Sequence, residues 1–427
     1  MAAVPLPFDE AGALARDAAD PARRSDFCVP PWPERAGAEW AYFAGNSLGL
    51  QPRAAAGALA EELAAWSELG VEGWFEGRRP WLTASDELRP SLARLTGAEV
   101  EEVVAMNTLT VNLHLLMATF YRPTPSRFQI VIEDAAFPSD SHAVASHVRH
   151  HGADPAKAVV RLRPREGESA LRTEDVVDEL ERLRGGVALV LLGGVNYLTG
   201  ELLAMAEITA AGHDVGALVG WDLAHAVGNV PLELSAWGVD WAAWCHYKYV
   251  NAGPGAPGGA FVHGRHGRDA SLPRLAGWWG NDPRTRFRME PDFAPRAGAA
   301  GWQVSTPTVL AFAPLRASLE LFDEVGMQAL RERSLRLTGY LESLLDVVVA
   351  ERSARVLTPR DEQRRGCQLS LAVTEARALA ARLRAEHGVI CDVREPDVLR
   401  FAPTPLYSSY HDCWRAATGL SALLPAR

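Results

Sequence analysis

Lysine is nearly missing from this sequence. Of its 43 basic side chains only Lys157 and Lys248 are lysine, and every other one is arginine. A coding bias toward arginine and alanine accounts for the scarcity but not for the survivors. A guanidinium forms no stable imine and stays protonated, whereas a lysine amine can be desolvated into a nucleophile. A sequence that has shed its lysines must keep any whose chemistry arginine cannot perform. Lys157 closes the polar connection Gly152-Ala153-Asp154-Pro155-Ala156-Lys157 and reads as a solvated charge. Lys248 stands among aromatic residues in His246-Tyr247-Lys248-Tyr249. It is the candidate reactive amine before any motif is considered.

Other scarcities exclude whole classes of function. Positive charge is not in excess: the net charge is −10, which argues against nucleic acid, whose phosphates need a basic face. A small anionic ligand needs only a local positive site and stays possible. The five cysteines, Cys28, Cys245, Cys367, Cys391 and Cys413, are odd in number and without paired metal-type spacing. We expect free thiols, a reducing cytoplasm and no metal site. No apolar run is long enough to span a bilayer. The N-terminal residues, Met1 to Glu10, lack a basic region followed by an apolar one, so no signal peptide is expected. Internal repeats and low-complexity linkers are absent as well.

What is present suits a large soluble globular protein. The chain has 427 residues, 48% hydrophobic and 22% charged, enough for a sizeable core and two intimately packed regions. Between about residues 100 and 265, short apolar runs alternate with helical patterns, the signature of a mainly parallel α/β sheet with crossover helices on both faces. Val103–Met106, Gln129–Ile132, Val187–Leu192 and Ala217–Trp221 read as buried strands. Asp240–Trp244 and Gly259–Val262 are weaker candidates. Helices are expected over about 109–120, 139–149 and 173–184. Beyond Pro307 the pattern changes to long helices, about 309–325 and 327–351. A smaller α+β region follows, with strands near 367–372 and 397–402 around a helix at 374–387. The expected division is therefore an N-terminal segment, 1–50, packed with the small domain; a large domain, 51–308; and a small C-terminal α+β domain, 309–427.

Polar residues gather where these strands end, which is where open α/β sheets place their ligands. After Met106, the run Asn107-Thr108-Leu109-Thr110 opens a helix whose N–H groups, with the Thr110 hydroxyl, could cradle a phosphate; taken alone, a plain N-cap is the commoner reading, since threonine is frequent there. After Ile132 come Glu133 and then Phe137-Pro138-Ser139-Asp140, in which Phe137 could stack on a flat ring or merely pack. After Trp221 comes Asp222-Leu223-Ala224-His225. A carboxylate at a buried strand end is costly unless paired, and a protonated pyridine nitrogen would be such a partner. A capping role for Asp222 and a core role for His225 remain open. Asn251–Gly259 is too rich in glycine and proline for a helix or strand, and no Gly-Lys-Ser/Thr follows it, so it is not a Walker loop. Thr110, Phe137, Asp222 and Lys248 occur in the order expected for phosphate cup, ring stack, pyridine-nitrogen partner and imine lysine.

These residues sit in longer motifs that resemble the kynureninase family, dimeric fold-type-I pyridoxal-phosphate hydrolases of the aspartate-aminotransferase superfamily. The resemblance runs from Tyr42-Phe43-Ala44-Gly45-Asn46-Ser47 through Arg79-Pro80-Trp81, Met106–His114, Phe137–Asp140, Asp222–Asn229, Tyr247-Lys248-Tyr249 and Gly277-Trp278-Trp279-Gly280 to Arg400–Tyr407. It implies pyridoxal 5'-phosphate as cofactor, held as a Schiff base by Lys248, with Asp222 on its ring nitrogen and Phe137 on its face. Asp140 and His225 would lie close by. Leu109, Thr110 and Tyr247 would meet the phosphate, and Tyr247 would also move protons. Trp278 would reach in from a partner subunit, with Thr306 beside the cofactor and substrate. Arg400 would grip the substrate α-carboxylate, a task suited to a bidentate guanidinium, with Ser47, Trp74 and Asn281 completing the substrate site. The implied reaction is hydrolysis of a kynurenine to an anthranilate and L-alanine in a cytoplasmic homodimer.

The sequence departs from the family pattern mainly where the substrate ring is read. Trp74 and Asn281 replace frequent histidines, Thr306 a usual asparagine and Gly193 a frequent serine. Lineage drift is one reading. The other is altered ring specificity, toward 3-hydroxykynurenine or an alkylated relative, because polar pairing decides such discrimination. Competing reactions on the same scaffold are transamination and cysteine desulfuration, the latter needing a mobile cysteine for which Cys367 is the loose candidate. A catalytically silent cofactor-binding protein is the remaining alternative.

Overall fold

In the computed structural model, residues 6, 7 and 9–426 are described. The reading of the N-terminus made above falls partly on residues 1–5 and 8, outside them. The apolar runs form one seven-stranded sheet from β1 (Val103–Met106), β2 (Gln129–Glu133), β3 (Val159–Leu162), β4 (Val187–Gly193), β5 (Leu218–Asp222), β6 (Trp241–Cys245) and β7 (Gly258–Val262). Its order is β1-β7-β6-β5-β4-β2-β3. Strand β7 alone runs antiparallel to its neighbours. The mainly parallel sheet is therefore as expected. Strand β3 was not foreseen: it is a short edge strand, Val159-Val160-Arg161-Leu162, whose solvent-side arginine breaks the apolar run.

Side chains alternate between two apolar layers, as the two-residue period of a strand requires. Val104, Ile130, Ile132, Leu189 and Leu191 face helices α2 (Leu109–Phe120) and α3 (Pro138–His150). Val103, Val131, Val190, Leu192 and Trp221 face the other way. There they share a core with Phe312, Leu315 and Phe322 of α4 (Val309–Val325), which also packs on α1 (Ala54–Leu69). The expected boundary at 308/309 thus falls before a helix whose apolar face belongs to the large sheet.

The second core begins within α5 (Met327–Glu351), from Leu337 onward. Its sheet is antiparallel, in the order β8 (Ala354–Val356), β9 (Leu369–Val373), β11 (Val398–Phe401), β10 (Asp392–Arg394). Helices α6 (Ala376–His387) and α7 (Tyr410–Leu423) cover it. The N-terminal segment joins this region: Ala41–Tyr42 pairs in parallel with Val389–Ile390, and Phe43 packs edge-on against Phe401. All five cysteines are unpaired. Among the described residues no helix is long and apolar enough to cross a membrane.

One contact ties the sheet to the helix that opens the site. A Cβ on Gly220 of β5 would lie 2.3 Å from the Trp241 ring, and Trp241 stacks on Phe120 of α2 at 6.2 Å. Gly220→Ala should therefore cost about 1–3 kcal/mol by overpacking. Thermal unfolding of the cofactor-free protein would show this as a lowered Tm, and an unchanged Tm would mean the ring has room to move.

Candidate active site

The parallel strands all deliver their carboxyl ends to one edge, and the candidate residues follow those ends. A single cavity there is lined by Leu109 and Thr110 after β1, Glu133, Phe137, Ser139 and Asp140 from the end of β2 onward, Gly193, Val195, Asn196 and Tyr197 from the end of β4, Asp222 and His225 from the end of β5, and Tyr247 and Lys248 after β6. Eight residues singled out from the sequence thus meet: Leu109, Thr110, Phe137, Asp140, Asp222, His225, Tyr247 and Lys248.

Lys248 Nζ lies 3.0 Å from His225 Nε2 and 5.9 Å from the centroid of the Phe137 ring. Burial, reinforced by the Lys248 charge and then by Arg400 and Arg394, pushes the His225 pKa well below its ordinary value. A neutral ring accepting at Nε2 carries its hydrogen on Nδ1, and that buried nitrogen has no protein partner. The amine is therefore held by a neutral acceptor.

Three buried carboxylates stand opposite. Asp222 accepts from the Ala224 N–H at 2.7 Å. Burial and then the Asp222 charge push the Asp140 pKa well up, and Asp140 Oδ1 has no partner. Glu133 accepts from the Gly193 N–H at 3.0 Å and from Asn196 Nδ2 at 3.2 Å. Burial raises the pKa of Glu133 to about 7 despite those bonds. A buried acidic cluster with an orphaned oxygen suits a ligand that brings a positive N–H.

The opposite end suits an anion. Helices α2 and α3 both begin at the cavity, neither with a side-chain cap on its first turn, and Thr110 Oγ1 lies 2.7 Å from Ser139 Oγ. Uncapped helix N-termini beside a pair of hydroxyls make a phosphate cradle. A Cβ on Gly258 would come within 3.1 Å of the Leu109 nitrogen, so the glycine keeps this turn open. The Tyr247 pKa is raised by burial, so its phenol keeps its proton at neutral pH. Together these groups fit a flat ring bearing a phosphate at one end, a protonated nitrogen at the other and a carbonyl near Lys248.

The remaining candidates lie off this cavity. Arg400 is fully buried, with its Nη1 donating to the Tyr197 carbonyl at 2.5 Å and its Nη2 to Asp392. Ser47 Oγ donates to the same Asp392 carboxylate. Trp74 packs with Trp81 and Trp279, at 5.7 and 5.9 Å between ring centroids. Trp278 is 44% exposed, Asn281 Oδ1 accepts from the Ala294 N–H at 2.8 Å, and Thr306 is exposed. Glu133, Ser139, Asn196 and Tyr197 of the cavity wall were given no role above. Glu133 carried a usable signal, being, like Asp222, an acidic residue that ends a buried strand. Cys245 and Cys367 are both buried, and burial holds the Cys367 thiol at about 12, which withholds the thiolate that desulfuration needs.

Comparisons with known proteins give the family and the fold. The pattern describing the kynureninase C-terminal domain matches residues 330–420. A kynureninase of Salinispora tropica is 60% identical over 416 residues, 97% of either chain. One of Koribacter versatilis is 52% identical over 419 residues, 97% of this chain and 98% of its own. A third, of Myxococcus xanthus, is 54% identical over 416 residues, covering 96% and 97%. Among solved structures, the apo cysteine desulfurase of Thermococcus onnurineus superposes with a TM-score of 0.74 at 17% identity, covering 90% of this chain and 94% of its own. The cysteine desulfurase CsdA of Escherichia coli gives 0.73 at 19%, covering 98% and 100%. These two describe the fold alone.

The Glu133 carboxyl yields a pH prediction. Its folded pKa stands above its unfolded one, so the folded state holds its proton while the unfolded state has lost it. Stability of the cofactor-free protein should then fall as pH rises from about 4.5 to about 7, by on the order of 3 kcal/mol from this group. Glu133→Gln should flatten that slope in thermal unfolding between pH 5 and 8. Parallel curves for the two proteins would contradict the assignment.

Proposed function

The chain belongs to the kynureninase family, and from that premise we propose that it hydrolyses the Cβ–Cγ bond of L-kynurenine, or of a ring-substituted kynurenine, to the matching anthranilate and L-alanine. Its cofactor is pyridoxal 5'-phosphate. The observation that carries the reading is the meeting of Lys248 with Asp222 and Asp140 across one cavity beneath Phe137. Lys248 would hold the cofactor covalently, Asp222 would keep its ring nitrogen protonated, and Phe137 would cover its face. Leu109, Thr110 and Tyr247 would hold its phosphate. When bound, the cofactor supplies the electron sink that makes the substrate Cα proton removable.

The protein's own groups do the rest. Lys248, which would hold the cofactor, also supplies the amine that takes the substrate Cα proton. Its neighbour His225, held neutral, accepts its hydrogen bond and adds no competing charge. Tyr247 keeps its phenolic proton until a late step and then donates it as a general acid. Arg400, with Ser47, orients the α-carboxylate. Water adds to the ketone, and cleavage releases the aryl acid and alanine.

A second copy of the chain completes the site, in a cytoplasmic homodimer. Trp278, Phe75, Phe287 and Met289 stand exposed on this chain, an apolar set that suits a covered interface. Trp278 reaches into the partner's site, and Trp74, Asn281 and Thr306 line the substrate ring. Trp74, in a wall of indoles, offers the ring apolar surface and a donor N–H, without the acceptor nitrogen that a histidine would give a ring hydroxyl. This favours plain or alkylated rings over hydroxylated ones.

Product analysis of the holoenzyme with L-kynurenine and 3-hydroxykynurenine in parallel tests the reaction: alanine with the matching anthranilate is expected, and no cleavage of either would refute it. Trp74→His should shift the kcat/KM ratio toward 3-hydroxykynurenine by up to about tenfold, the scale of one neutral hydrogen bond; an unchanged ratio would remove Trp74 from ring selection. Borohydride reduction followed by proteolysis should leave the cofactor on the Lys248 peptide alone. Lys157→Arg should keep full turnover, and Lys248→Arg should lose about 10²-fold or more. Cofactor recovered on Lys157 would overturn the assignment.

A further inference from the structure

Strands β10 and β11 are paired so that Asp392 lies directly across from Arg400. Arg394 stands two residues beyond Asp392 on the same strand, and so projects from the same face. Asp392 bridges the two guanidiniums: one oxygen takes Arg400 Nη2, and the other takes Arg394 Nη1 at 3.0 Å. Ser47 Oγ donates to the Arg400-side oxygen and lies 3.4 Å from both Arg394 Nη2 and Arg400 Nη2. Two positive charges thus share one carboxylate.

The donor inventory is also incomplete. Arg394 Nε and Arg400 Nε are both buried atoms without a hydrogen-bond partner, and leaving a charged donor unpaired away from water is costly. The cluster adjoins the cavity through Tyr197, whose carbonyl takes Arg400 Nη1 and whose ring meets Phe137 edge-on at 5.2 Å. Arg400 is wholly buried, whereas a third of the Arg394 side chain remains open to solvent.

We infer that Arg394 is a second carboxylate-binding residue, which with Arg400 receives the α-carboxylate of the amino-acid substrate. The inference rests on the reading that the substrate is an α-amino acid held through Arg400. One more carboxylate balances the two guanidiniums and Asp392, and it offers acceptors to the unpartnered N–H groups. Being the more open of the pair, Arg394 meets the incoming anion first. Asp392 acts through both arginines by holding them at a common spacing.

The test uses the holoenzyme and two ligands that differ only by the carboxylate, L-alanine and ethylamine, titrated against the absorbance of the bound cofactor. Arg394→Gln should weaken L-alanine binding by roughly tenfold or more, the scale of one charge-assisted hydrogen bond, and leave ethylamine binding within about twofold. With kynurenine it should raise KM far more than it lowers kcat. Arg394→Lys, which keeps the charge but loses the fork, should recover part of the L-alanine affinity. Unchanged L-alanine binding, or equal weakening of both ligands, would overturn the assignment. Failure of the unsubstituted enzyme to cleave any kynurenine would instead count against the proposed reaction and leave the L-alanine comparison standing.

Discussion

The site is organised around three carboxylates buried at one sheet edge, Glu133, Asp140 and Asp222, with Lys248 the only amine among the described residues of the cavity wall they share. Such a set is expensive, because each ionised oxygen has lost its water and repels the others. The fold moderates the cost in several ways. Burial and the Asp222 charge raise the Asp140 pKa. Glu133 takes two N–H donors. His225 is kept neutral, so it adds no further positive charge beside Lys248. What is left is an acidic wall short of one positive partner, the electrostatic description of a place for a protonated ring nitrogen.

The second charged cluster has the opposite polarity. Arg394 and Arg400 stand on the small antiparallel sheet, with Asp392 as their common anion. An α-amino acid placed between Lys248 and this pair would have its amine near the cofactor's attachment point and its carboxylate near the guanidiniums. The two poles belong to different cores. The N-terminal segment bridges them: Ser47 bonds to Asp392, and the Gly49 N–H donates to the Tyr247 carbonyl at 2.8 Å. The relative placement of the two sheets therefore sets the spacing of amine and carboxylate recognition.

The solved proteins that superpose on this chain include cysteine desulfurases, whereas the sequence relatives that match nearly its whole length include kynureninases. A shared scaffold carrying different reactions is ordinary, since chemistry resides in the residues at the sheet edge rather than in the sheet. Here the distinction is concrete. Cys245 ends a buried strand, and Cys367 is sealed with its thiol held far above neutrality, so neither can serve as a mobile nucleophile.

Much of this was legible in the sequence, and the reason is local. The buried strands announce themselves as apolar runs, and a ligand edge follows from strand polarity. Lys248, Asp222, Phe137 and Thr110 each stand within a few residues of a strand end, so reading the strands located the chemistry. Two edge strands were not legible, because Val159–Leu162 and Asp392–Arg394 are short and half-open to solvent, where no apolar period is required. Nor could any pattern along the chain couple Asp392 to Arg400 or Glu133 to the Gly193 N–H. The first pairing is a cross-strand register and the second spans separate strands of the parallel sheet. Sequence by itself determined which side chains were chemically able to act, because that depends on residue type and on the end of a strand. Only the tertiary structure decided which charges share a desolvated space, because pKa values and ion pairing depend on distance and burial, and those exist only once the sheets are packed.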